Sequence, residues 1–496
     1  MASPRARRAL VLLVLGVLLI GGLFALEIGP KQTVALPAHL SDPALAHLGD
    51  GVILASWDAR PSSAKDSPNP NSIVQRRSTN NGATWGPQTV IAAGRTSKPQ
   101  HRYSDPSYVV DRETGTVFTF FVYSHDTGFF DSAWGNRDSD RDVMSSAVVH
   151  SDDAGLTWSE PRLITSVTKP ATGGSAPKAG DVRATFATSG EGIQLRFGPN
   201  VGRLIQQYAG VVRQPDGTDT TQAYSVFSDD HGETWQRGEF VGVGMDENKT
   251  VELSDGRVML NSRSGAADLW RSVAVSDDGG VSYGPVAGEP QLADPINNAS
   301  LTRMFPDAEA GSPDAKKLLF TNANNGANRD RVNGAARVSC DDGATWPGLR
   351  TIDTGAFAYS SATRIDDGLF GVLWERSSVN DLQFTTFDDA WLNYVCAPLT
   401  VTPQFALPSH TSSVPVAITN QESVPLSGEV TFFAPAGWKA GTADIRDLEP
   451  GETVTVRVPV TAPAGTMGTH RVQAAFTAAD GRMSQFTARL TAGFAR

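Results

Sequence analysis

The chain has 496 residues, enough for about two to four domains, and its 40% hydrophobic and 19% charged side chains exclude a disordered or coiled-coil protein. Its formal net charge of −11 lacks the basic footprint that nucleic acids require, so no nucleic acid is expected as a partner. Two cysteines are too few for a disulfide scaffold or a cysteine-based zinc site, and the eight histidines lack metal-binding spacing. We therefore expect neither a metal nor another cofactor.

The first 30 residues are predicted to be a targeting segment rather than part of the fold. Arg5, Arg7 and Arg8 precede an apolar run over residues 9–26. A basic flank followed by such a run is typical of an export signal. The run is also close to the roughly 20 residues that span a bilayer, so a cleaved signal and a retained membrane anchor both stay open. Either one predicts a secreted or cell-surface protein.

An eight-residue motif then occurs five times along the chain. Its copies are STNNGATW at 78–85, SDDAGLTW at 151–158, SDDHGETW at 228–235, SDDGGVSY at 276–283 and SCDDGATW at 339–346. Serine and aspartate side chains accept backbone hydrogen bonds in tight turns, glycine permits positive φ, and an aromatic ring packs beneath the turn. Since each copy follows a short alternating strand, we interpret it as a hairpin turn rather than as a ligand site.

These repeats predict a β-propeller over residues 31–397. Helical periodicity over more than ten residues is nearly absent there, whereas short β-rich runs recur throughout. Radially repeated four-stranded sheets form propellers of about four to eight blades. Five motif copies together with an atypical terminal unit favour a six-bladed propeller in an all-β chain.

A second domain is predicted over residues 398–496, which are rich in threonine, valine and proline and carry no copy of the motif. The alternating strands expected there are 414–419, 428–433, 453–458, 470–476 and 485–490. About 100 residues with frequent turn signals fit an immunoglobulin-like β-sandwich. The absence of a clustered aromatic platform favours a spacer or stabilising module over a glycan-binding one. Cys340 and Cys396 either pair or stay as two buried thiols.

A second repeat places charged residues at one strand position in three of the units. Three Asp-Gly turns each open a mostly apolar strand that ends in a charged residue seven positions after the glycine. These charged residues are Asp58, Arg263 and Glu375. Because equivalent strands of a propeller surround one axis, the three side chains are expected at the same mouth of the ring. The alternative is that each of them begins a solvated loop.

Together these features resemble the bacterial exo-α-sialidases, six-bladed propeller glycosidases, over roughly residues 48–397. The resemblance rests on the runs WDARP, SDPSYVVDRETGT, GEGIQLRFGP, VGMDENKTVELSDGRVMLNSR, DPINNAS and SCDDGATWP. The C-terminal region resembles the sandwich domain that follows the propeller in some of these enzymes. The resemblance implies retaining hydrolysis of terminal α-linked sialic acids through a tyrosine nucleophile. Its implied partners are sialylated glycoproteins, glycolipids and oligosaccharides.

The resemblance also implies roles for individual residues. It makes Asp58 the general acid/base, Tyr359 the nucleophile and Glu247 the base that activates Tyr359. The substrate-binding residues that it implies are Arg263 and Arg329 of an arginine triad, Glu375, which orients one of those arginines, and the pocket residues Asp105, Asp246 and Asn297. A neutral tyrosine suits a sugar with a carboxylate on the reacting carbon, because that carboxylate would repel an anionic nucleophile.

The chain departs from the family at the first arginine of the triad. The family's Arg-Ile-Pro run matches residues 41–43 through the Pro-Ala-Leu that the two share, so Ser41 stands at the arginine position. Removing one charged partner from a buried carboxylate contact typically costs about 2–5 kcal/mol. Arg60 and Arg102 are candidate substitutes. Three functions stay open: an active sialidase with a modified carboxylate grip, a catalytically weakened sialoglycan-binding lectin or adhesin, and an exo-glycosidase for another ulosonic acid.

Overall fold

The computed structural model describes residues 28–35, 39–61, 63–376, 380–402, 405–406 and 411–492. Strands dominate this part of the chain, and the prediction of an all-β protein is confirmed. Its helices are a single turn each: α1 (Thr165–Thr168), a 3₁₀ turn (Gly198–Asn200) and α2 (Asp389–Leu392). No helix within the described ranges is long and apolar enough to cross a membrane. The predicted signal or anchor over residues 9–26 lies outside those ranges.

Six sheets, which we number blades 1 to 6, are built before residue 397. The first strand of the chain, β1 (Gln32–Ala35), joins the last of them. Blade 1 contains β2 (Leu40–Gly49), β3 (Val52–Ala59), β4 (Ser72–Ser78) and β5 (Thr89–Ala92). Blade 2 contains β6 (Arg102–Val110), β7 (Val117–Ser124), β8 (Ser145–Ser151) and β9 (Arg162–Leu163).

Blade 3 has a divided inner edge. It contains β10 (Val182–Ala187), β12 (Ile193–Gln194), β13 (Leu204–Arg213), β14 (Asp219–Ser228) and β15 (Gln236–Arg237). The short strand β11 (Gly190–Glu191), between β10 and β12 in the chain, instead pairs in parallel with β6 of blade 2. Blades 2 and 3 are therefore joined by backbone hydrogen bonds as well as by packing.

The remaining three blades each have four strands. Blade 4 contains β16 (Met245–Glu252), β17 (Val258–Ser264), β18 (Trp270–Ser276) and β19 (Ala287–Ala293). Blade 5 contains β20 (Ser300–Arg303), β21 (Leu318–Ala323), β22 (Val332–Ser339) and β23 (Gly348–Ala356). Blade 6 contains β24 (Ser360–Asp366), β25 (Leu369–Arg376) and β26 (Asp381–Asp388), with β1 as its outer strand.

The inner strands of neighbouring blades form a closed ring. Contacts run from β2 to β6, from β6 to β10 and β13, then through β16, β20 and β24 back to β2. Strand β1 pairs antiparallel with β26, with Gln32 opposite Phe384, so the N-terminal strand completes blade 6. This arrangement leaves only short, protected edges, as a propeller does.

The five motif copies join the third and fourth strands of blades 1 to 5. In every copy the first serine hydroxyl accepts a hydrogen bond from the amide of the glycine four residues later, at 2.8–2.9 Å. In blade 2, Asp153 Oδ1 also accepts a hydrogen bond from the Thr157 backbone amide at 2.8 Å. Gly155 has a φ of 79°, a conformation that would be strained for a residue with a side chain. The motif is a hairpin turn held by side-chain hydrogen bonds, as the sequence predicts.

The C-terminal domain is a sandwich of two sheets. The first sheet contains β27 (Leu399–Val401), β29 (Thr411–Thr419), β33 (Thr453–Thr461) and β31 (Lys439–Ala440). The second contains β28 (Phe405–Ala406), β35 (Met483–Ala492), β34 (Gly468–Ala478), β30 (Leu426–Phe433) and β32 (Thr442–Leu448). Val416, Ile418, Val430, Phe476 and Leu490 are buried in one core between them. Each of the five strands predicted here falls inside an observed strand.

The sandwich is attached to the propeller covalently and by packing. Cys340, in the blade 5 motif, and Cys396, just before β27, form a disulfide with 5.8 Å between their Cα atoms, which settles the pairing that the sequence left open. The Gln485 amide of β35 donates to the Pro347 carbonyl at 2.8 Å. The Arg489 guanidinium lies 5.0 Å from the centre of the Trp270 ring in blade 4. The two domains therefore meet along blades 4 and 5.

We expect replacement of both cysteines by serine to lower the free energy of unfolding by about 2–4 kcal/mol, because the bond closes a loop with a sequence separation of 56 residues. Denaturant unfolding of the variant and of the unmodified chain measures this loss. The unmodified chain in a reducing buffer is the control and should lose the same amount. A loss below about 0.5 kcal/mol would contradict the prediction.

Candidate active site

The three charged residues of the Asp-Gly repeat lie at corresponding strand ends. Asp58 is near the end of β3, Arg263 near the end of β17 and Glu375 near the end of β25, each the second strand of its blade. The Asp-Gly turns lie at the opposite ends of these strands. There a cavity of about 990 Å³ opens, with Asp50 and Asp367 among its lining residues. The charged ends therefore lie away from this cavity, on the other side of the ring.

Tyr359, Glu247 and Arg263 meet at one guanidinium nitrogen. Arg263 Nη1 donates a hydrogen bond to Glu247 Oε2 at 2.6 Å and another to the Tyr359 hydroxyl at 3.0 Å. Glu247 belongs to β16 and Tyr359 directly precedes β24, so blades 4 and 6 supply side chains that are far apart in the sequence. Glu247 is 7% exposed. The centre thus combines a phenol, a buried carboxylate and a guanidinium.

The charges of this centre follow from burial and from the pairing. Burial raises the pKa of the Tyr359 phenol well above its ordinary value, and the neighbouring Glu247 carboxylate raises it further. Burial would also raise the pKa of Glu247, but Arg263 and the hydrogen bond from Tyr359 outweigh burial and lower it. At neutral pH a neutral phenol therefore lies beside a charged base.

The structure brings Arg331, and not Arg329, to Tyr359. The Arg331 guanidinium carbon lies 4.8 Å from the centre of the Tyr359 ring, and Nη2 donates to the Ile296 carbonyl at 2.7 Å. The Phe357 amide donates to the Arg331 carbonyl at 2.9 Å, which fixes the backbone next to the tyrosine segment. Arg329 is exposed in the preceding loop. The signal that could have identified Arg331 is its place immediately before β22.

Asp58 is fully buried in a cluster of acids around Arg60. Its Oδ1 accepts a hydrogen bond from the Asp105 amide at 3.0 Å. Arg60 Nη2 lies 3.4 Å from Asp58 Oδ2 and 2.8 Å from Asp42 Oδ2. Burial raises the pKa of Asp58 well above its ordinary range, the nearby Asp42 adds to this, and the pKa of Asp105 is raised for the same reasons. These surroundings favour the protonated form of Asp58 to a higher pH than that of an ordinary aspartate.

Glu375 pairs with a hydroxyl group at the position where the resemblance leads one to expect an arginine. Ser41 Oγ donates to Glu375 Oε2 at 3.1 Å, with Oε1 at 3.4 Å. The Tyr359 amide donates to Oε1 at 3.4 Å. In the described part of the chain, no cationic nitrogen lies within 4.0 Å of this carboxyl group.

Neither candidate substitute for the missing arginine bonds to Glu375. Arg60 forms ion pairs with Asp42 at 2.8 Å and Asp66 at 2.7 Å, which occupy its guanidinium. Arg102 is buried, and its Nη1 donates to the Pro68 carbonyl. The arginine position is therefore filled by Ser41 alone.

Asp246 and Asn297 border the centre in different ways. Asp246 lies 3.6 Å from Arg263 Nε, and burial raises its pKa to about 6. Asn297 is fully buried, and its side-chain amide donates at 3.0 Å to the carbonyl of Ala358, the residue before Tyr359. Asp246 thus contributes charge, whereas Asn297 holds the backbone that carries the phenol. Among the described residues, no group of three or more potential metal ligands is arranged around an ion site.

Comparisons with known proteins cover both domains. The model of the BNR repeat-like domain matches residues 51–372, and that of the NPCBM-associated, NEW3 domain of alpha-galactosidase matches residues 408–478. A sialidase of Micromonospora viridifaciens is 48% identical over 445 residues, which are 89% of this chain and 66% of that protein. A sialidase of Bacteroides fragilis is 26% identical over 346 residues, 68% of this chain and 59% of the relative. The chain thus spans 66% and 59% of the length of these two relatives.

Solved structures share the fold. The Hadza microbial sialidase Hz136 is 27% identical, with a TM-score of 0.63 over 73% of this chain and 68% of that chain. The sialidase of Trypanosoma rangeli is 14% identical, with a TM-score of 0.55 over 92% of this chain and 89% of that chain. The second likeness concerns the fold alone.

Proposed function

Since the chain belongs to the sialidase family through its BNR repeat-like domain, we propose that it is an exo-α-sialidase, which hydrolyses terminal α-linked sialic acids with retention of configuration. One observation carries the proposal: a single nitrogen of Arg263 is hydrogen-bonded to both Glu247 and the Tyr359 hydroxyl. A phenol, its base and a cation beside the developing oxyanion are the groups that a tyrosine nucleophile needs.

In the first step, the Tyr359 oxygen attacks the anomeric carbon of the bound sugar, and Glu247 accepts the phenolic proton. Asp58 donates its proton to the glycosidic oxygen as the bond to the aglycone breaks, so the leaving group departs as a neutral alcohol. Ionising a free tyrosine at pH 7 would cost about 4 kcal/mol, and transfer to an adjacent carboxylate removes much of that cost. The lowered pKa of Glu247 and the raised pKa of Asp58 support this assignment.

In the second step, the Asp58 carboxylate accepts a proton from water, whose oxygen attacks the anomeric carbon. The bond to Tyr359 breaks, the phenoxide takes its proton back from Glu247, and the product is the α-anomer of the free sugar. Arg263 donates to the phenolic oxygen in both steps and stabilises its partial negative charge.

For the substrate carboxylate, we assign Arg263 and Arg331 as the two guanidinium groups. Planar guanidinium groups donate parallel hydrogen bonds and stay charged, which suits a carboxylate. The position of Arg331 over the Tyr359 ring supports its assignment in place of Arg329. Asp105 and Asp246 border the pocket, and Asn297 positions the tyrosine segment.

The substrates that we propose are sialylated glycoproteins, glycolipids and oligosaccharides. We propose further that the protein is secreted or held at the cell surface, because the basic flank and apolar run over residues 9–26 are typical of an export signal or anchor. The sandwich domain is proposed to be a stabilising module, which its disulfide and its packing on blades 4 and 5 support.

A second candidate function is favoured by one observation: Ser41 in place of the first triad arginine, with Asp42 beside it, makes the carboxylate end of the pocket less positive. A chain whose contacts with the substrate carboxylate are too weak for catalysis would act as a sialoglycan-binding lectin or adhesin. A pocket changed at this end would also suit another ulosonic acid.

The test is hydrolysis of a fluorogenic aryl α-sialoside by the purified full chain, with the released sugar followed by proton NMR. We expect turnover, with the α-anomer of free sialic acid formed first. A β-anomer formed first would refute the tyrosine mechanism. Binding to immobilised sialoglycans without turnover would identify a lectin or adhesin. Release of a different ulosonic acid alone would identify an exo-glycosidase for that sugar.

A further inference from the structure

Glu375 and Ser41 form a pair that, we propose, binds the substrate carboxylate as two neutral hydrogen-bond donors in place of a third arginine, with Glu375 in its protonated form. Binding of sialic acid to this chain is then coupled to a proton on Glu375. The inference rests on the proposed function, since it concerns the carboxylate end of the same pocket.

The backbone fixes Glu375 next to the nucleophile. The Ala358 amide donates to the Glu375 carbonyl at 2.9 Å, and the Glu375 amide donates to the Tyr359 carbonyl at 3.0 Å. The side chain turns back to the same segment, where its Oε1 accepts from the Tyr359 amide at 3.4 Å. In a sialoside the carboxylate is bonded directly to the carbon that Tyr359 attacks. The proposal places that carboxylate beside the Ser41–Glu375 pair.

The charges around Glu375 favour its neutral form. Glu375 is 5% exposed, and Asp42, next to Ser41 in β2, adds a like charge. Arg331 and Arg60 are the cations that face it, but Arg331 stacks on Tyr359 and Arg60 is paired with Asp42. Burial first, then Asp42, raises the pKa of Glu375 to about 8, against the lowering by Arg331 and by the Ser41 hydrogen bond.

An incoming carboxylate strengthens this preference. A charged Glu375 would face the substrate as a second buried anion, and like charges in one site raise the pKa of at least one of them. A protonated Glu375 instead offers one O–H donor, and Ser41 offers a second when its hydroxyl turns from Glu375 to the substrate carboxylate. Proton uptake and carboxylate binding therefore favour each other by the same free energy. Arg263 and Arg331 then supply the positive charge, and the Ser41–Glu375 pair supplies hydrogen-bond donors in place of those of the missing arginine.

The dissociation constant for free sialic acid is expected to rise with pH. Below pH 8 Glu375 keeps its proton in the free protein and the donor is present. Above pH 8 the proton must be taken up from solution on binding, so the dissociation constant rises by about tenfold per pH unit. Between pH 6 and pH 9.5 we expect the dissociation constant for free sialic acid to rise by about thirtyfold.

The experiment is isothermal calorimetry with free sialic acid as the probe on the full chain, from pH 6 to pH 9.5, for the unmodified protein and Glu375→Gln. A glutamine keeps a donor but cannot ionise, so we expect the rise to fall below about threefold. Asp42 and Asp58 still titrate in this variant, and an equal rise in both proteins would overturn the proposal by assigning the effect to those acids.

Two further variants keep the test decisive. In Ser41→Arg the new guanidinium pairs with an ionised Glu375, so the pH dependence should disappear and affinity at pH 9.5 should rise at least tenfold; an unchanged affinity overturns the proposal. Asp42→Asn removes a like charge that raises the pKa of Glu375, so the dissociation constant should begin to rise at a lower pH, and loss of the rise would assign the effect to Asp42 instead. Turnover with a pH-independent dissociation constant would overturn the proposed role of the Ser41–Glu375 pair but not the proposed hydrolase activity. Binding coupled to proton uptake without turnover would support the role of the pair and overturn the hydrolase activity. Absence of binding at every pH together with absence of turnover overturns both.

Discussion

Replacing Tyr359 by phenylalanine is expected to lower the turnover number on an aryl α-sialoside by at least about a hundredfold, because the covalent route through the phenolic oxygen is lost. The ring stays, so Arg331 keeps its stacking partner at 4.8 Å. Arg263 loses one of its two acceptors and keeps Glu247. The Michaelis constant should therefore change much less than the turnover number, and steady-state kinetics with the purified full chain separates the two.

The matched control is Tyr283→Phe. Tyr283 belongs to the blade 4 motif, and its hydroxyl shares a hydrogen bond with Ser225 Oγ at 3.0 Å, away from the site. This variant loses a half-buried phenol hydrogen bond without touching the proposed chemistry, so its turnover number should stay within about threefold of the unmodified chain. A Tyr359→Phe variant that kept more than a tenth of the turnover number would remove the tyrosine from the mechanism.

The parts of the fold that the sequence predicts are those whose signals are local. The motif turns depend on a serine, an aspartate (Asn80 in blade 1) and a glycine within five residues, and in each copy the serine hydroxyl accepts from the glycine amide. The five longest sandwich strands alternate clearly enough to be recognised, whereas β32, with seven residues, was not predicted. By contrast, β27, β28 and β31 contain only two or three residues, too few for alternation to show.

Pairing between distant segments could not be predicted in this way. Strand β1 joins blade 6, where Gln32 lies opposite Phe384, but nothing within the sequence of β1 indicates that partner strand. Strand β11 leaves its own blade to pair with β6, with Gly190 opposite Ser107. Such choices are decided by which edge is free once the other strands have packed, and that depends on the whole ring.

The candidate site shows the same division. The phase of the Asp-Gly repeat was enough to place Asp58, Arg263 and Glu375 at corresponding strand ends. The choice between Arg329 and Arg331 depends on how the loop before β22 folds, which residue types alone do not reveal. Asp42 gave no signal at all, because its burial against Arg60 depends on a contact between two strands and on a φ of 59°.

Asp58→Ala is expected to have an effect that depends on the leaving group. A general acid contributes about 10²–10⁴-fold when the departing oxygen needs a proton, as the sugar hydroxyl of a natural sialoside does. An aryl leaving group departs readily as its anion, so its release should slow far less. We therefore expect a loss of at least about a hundredfold on a sialylated oligosaccharide and a several-fold smaller loss on an aryl α-sialoside, measured as turnover numbers on both substrates.

The pH dependence of the turnover number tests the role of Asp58 independently. Because burial and Asp42 raise the pKa of Asp58, its acid form persists to a higher pH than that of an ordinary aspartate and is lost as the pH rises through the raised value. The unmodified chain should lose turnover on the oligosaccharide along this alkaline limb, and the limb should be absent from the aryl-substrate profile of Asp58→Ala. Asp66→Ala is the control: Asp66 lies 2.7 Å from the Arg60 guanidinium, and its side chain is 81% exposed. Because its charge helps to raise the pKa of Asp58, this variant should keep the alkaline limb but shift it to lower pH. Equal losses on both substrates in Asp58→Ala would show that Asp58 holds the cluster together rather than donating the proton, because a purely structural defect does not distinguish one leaving group from another.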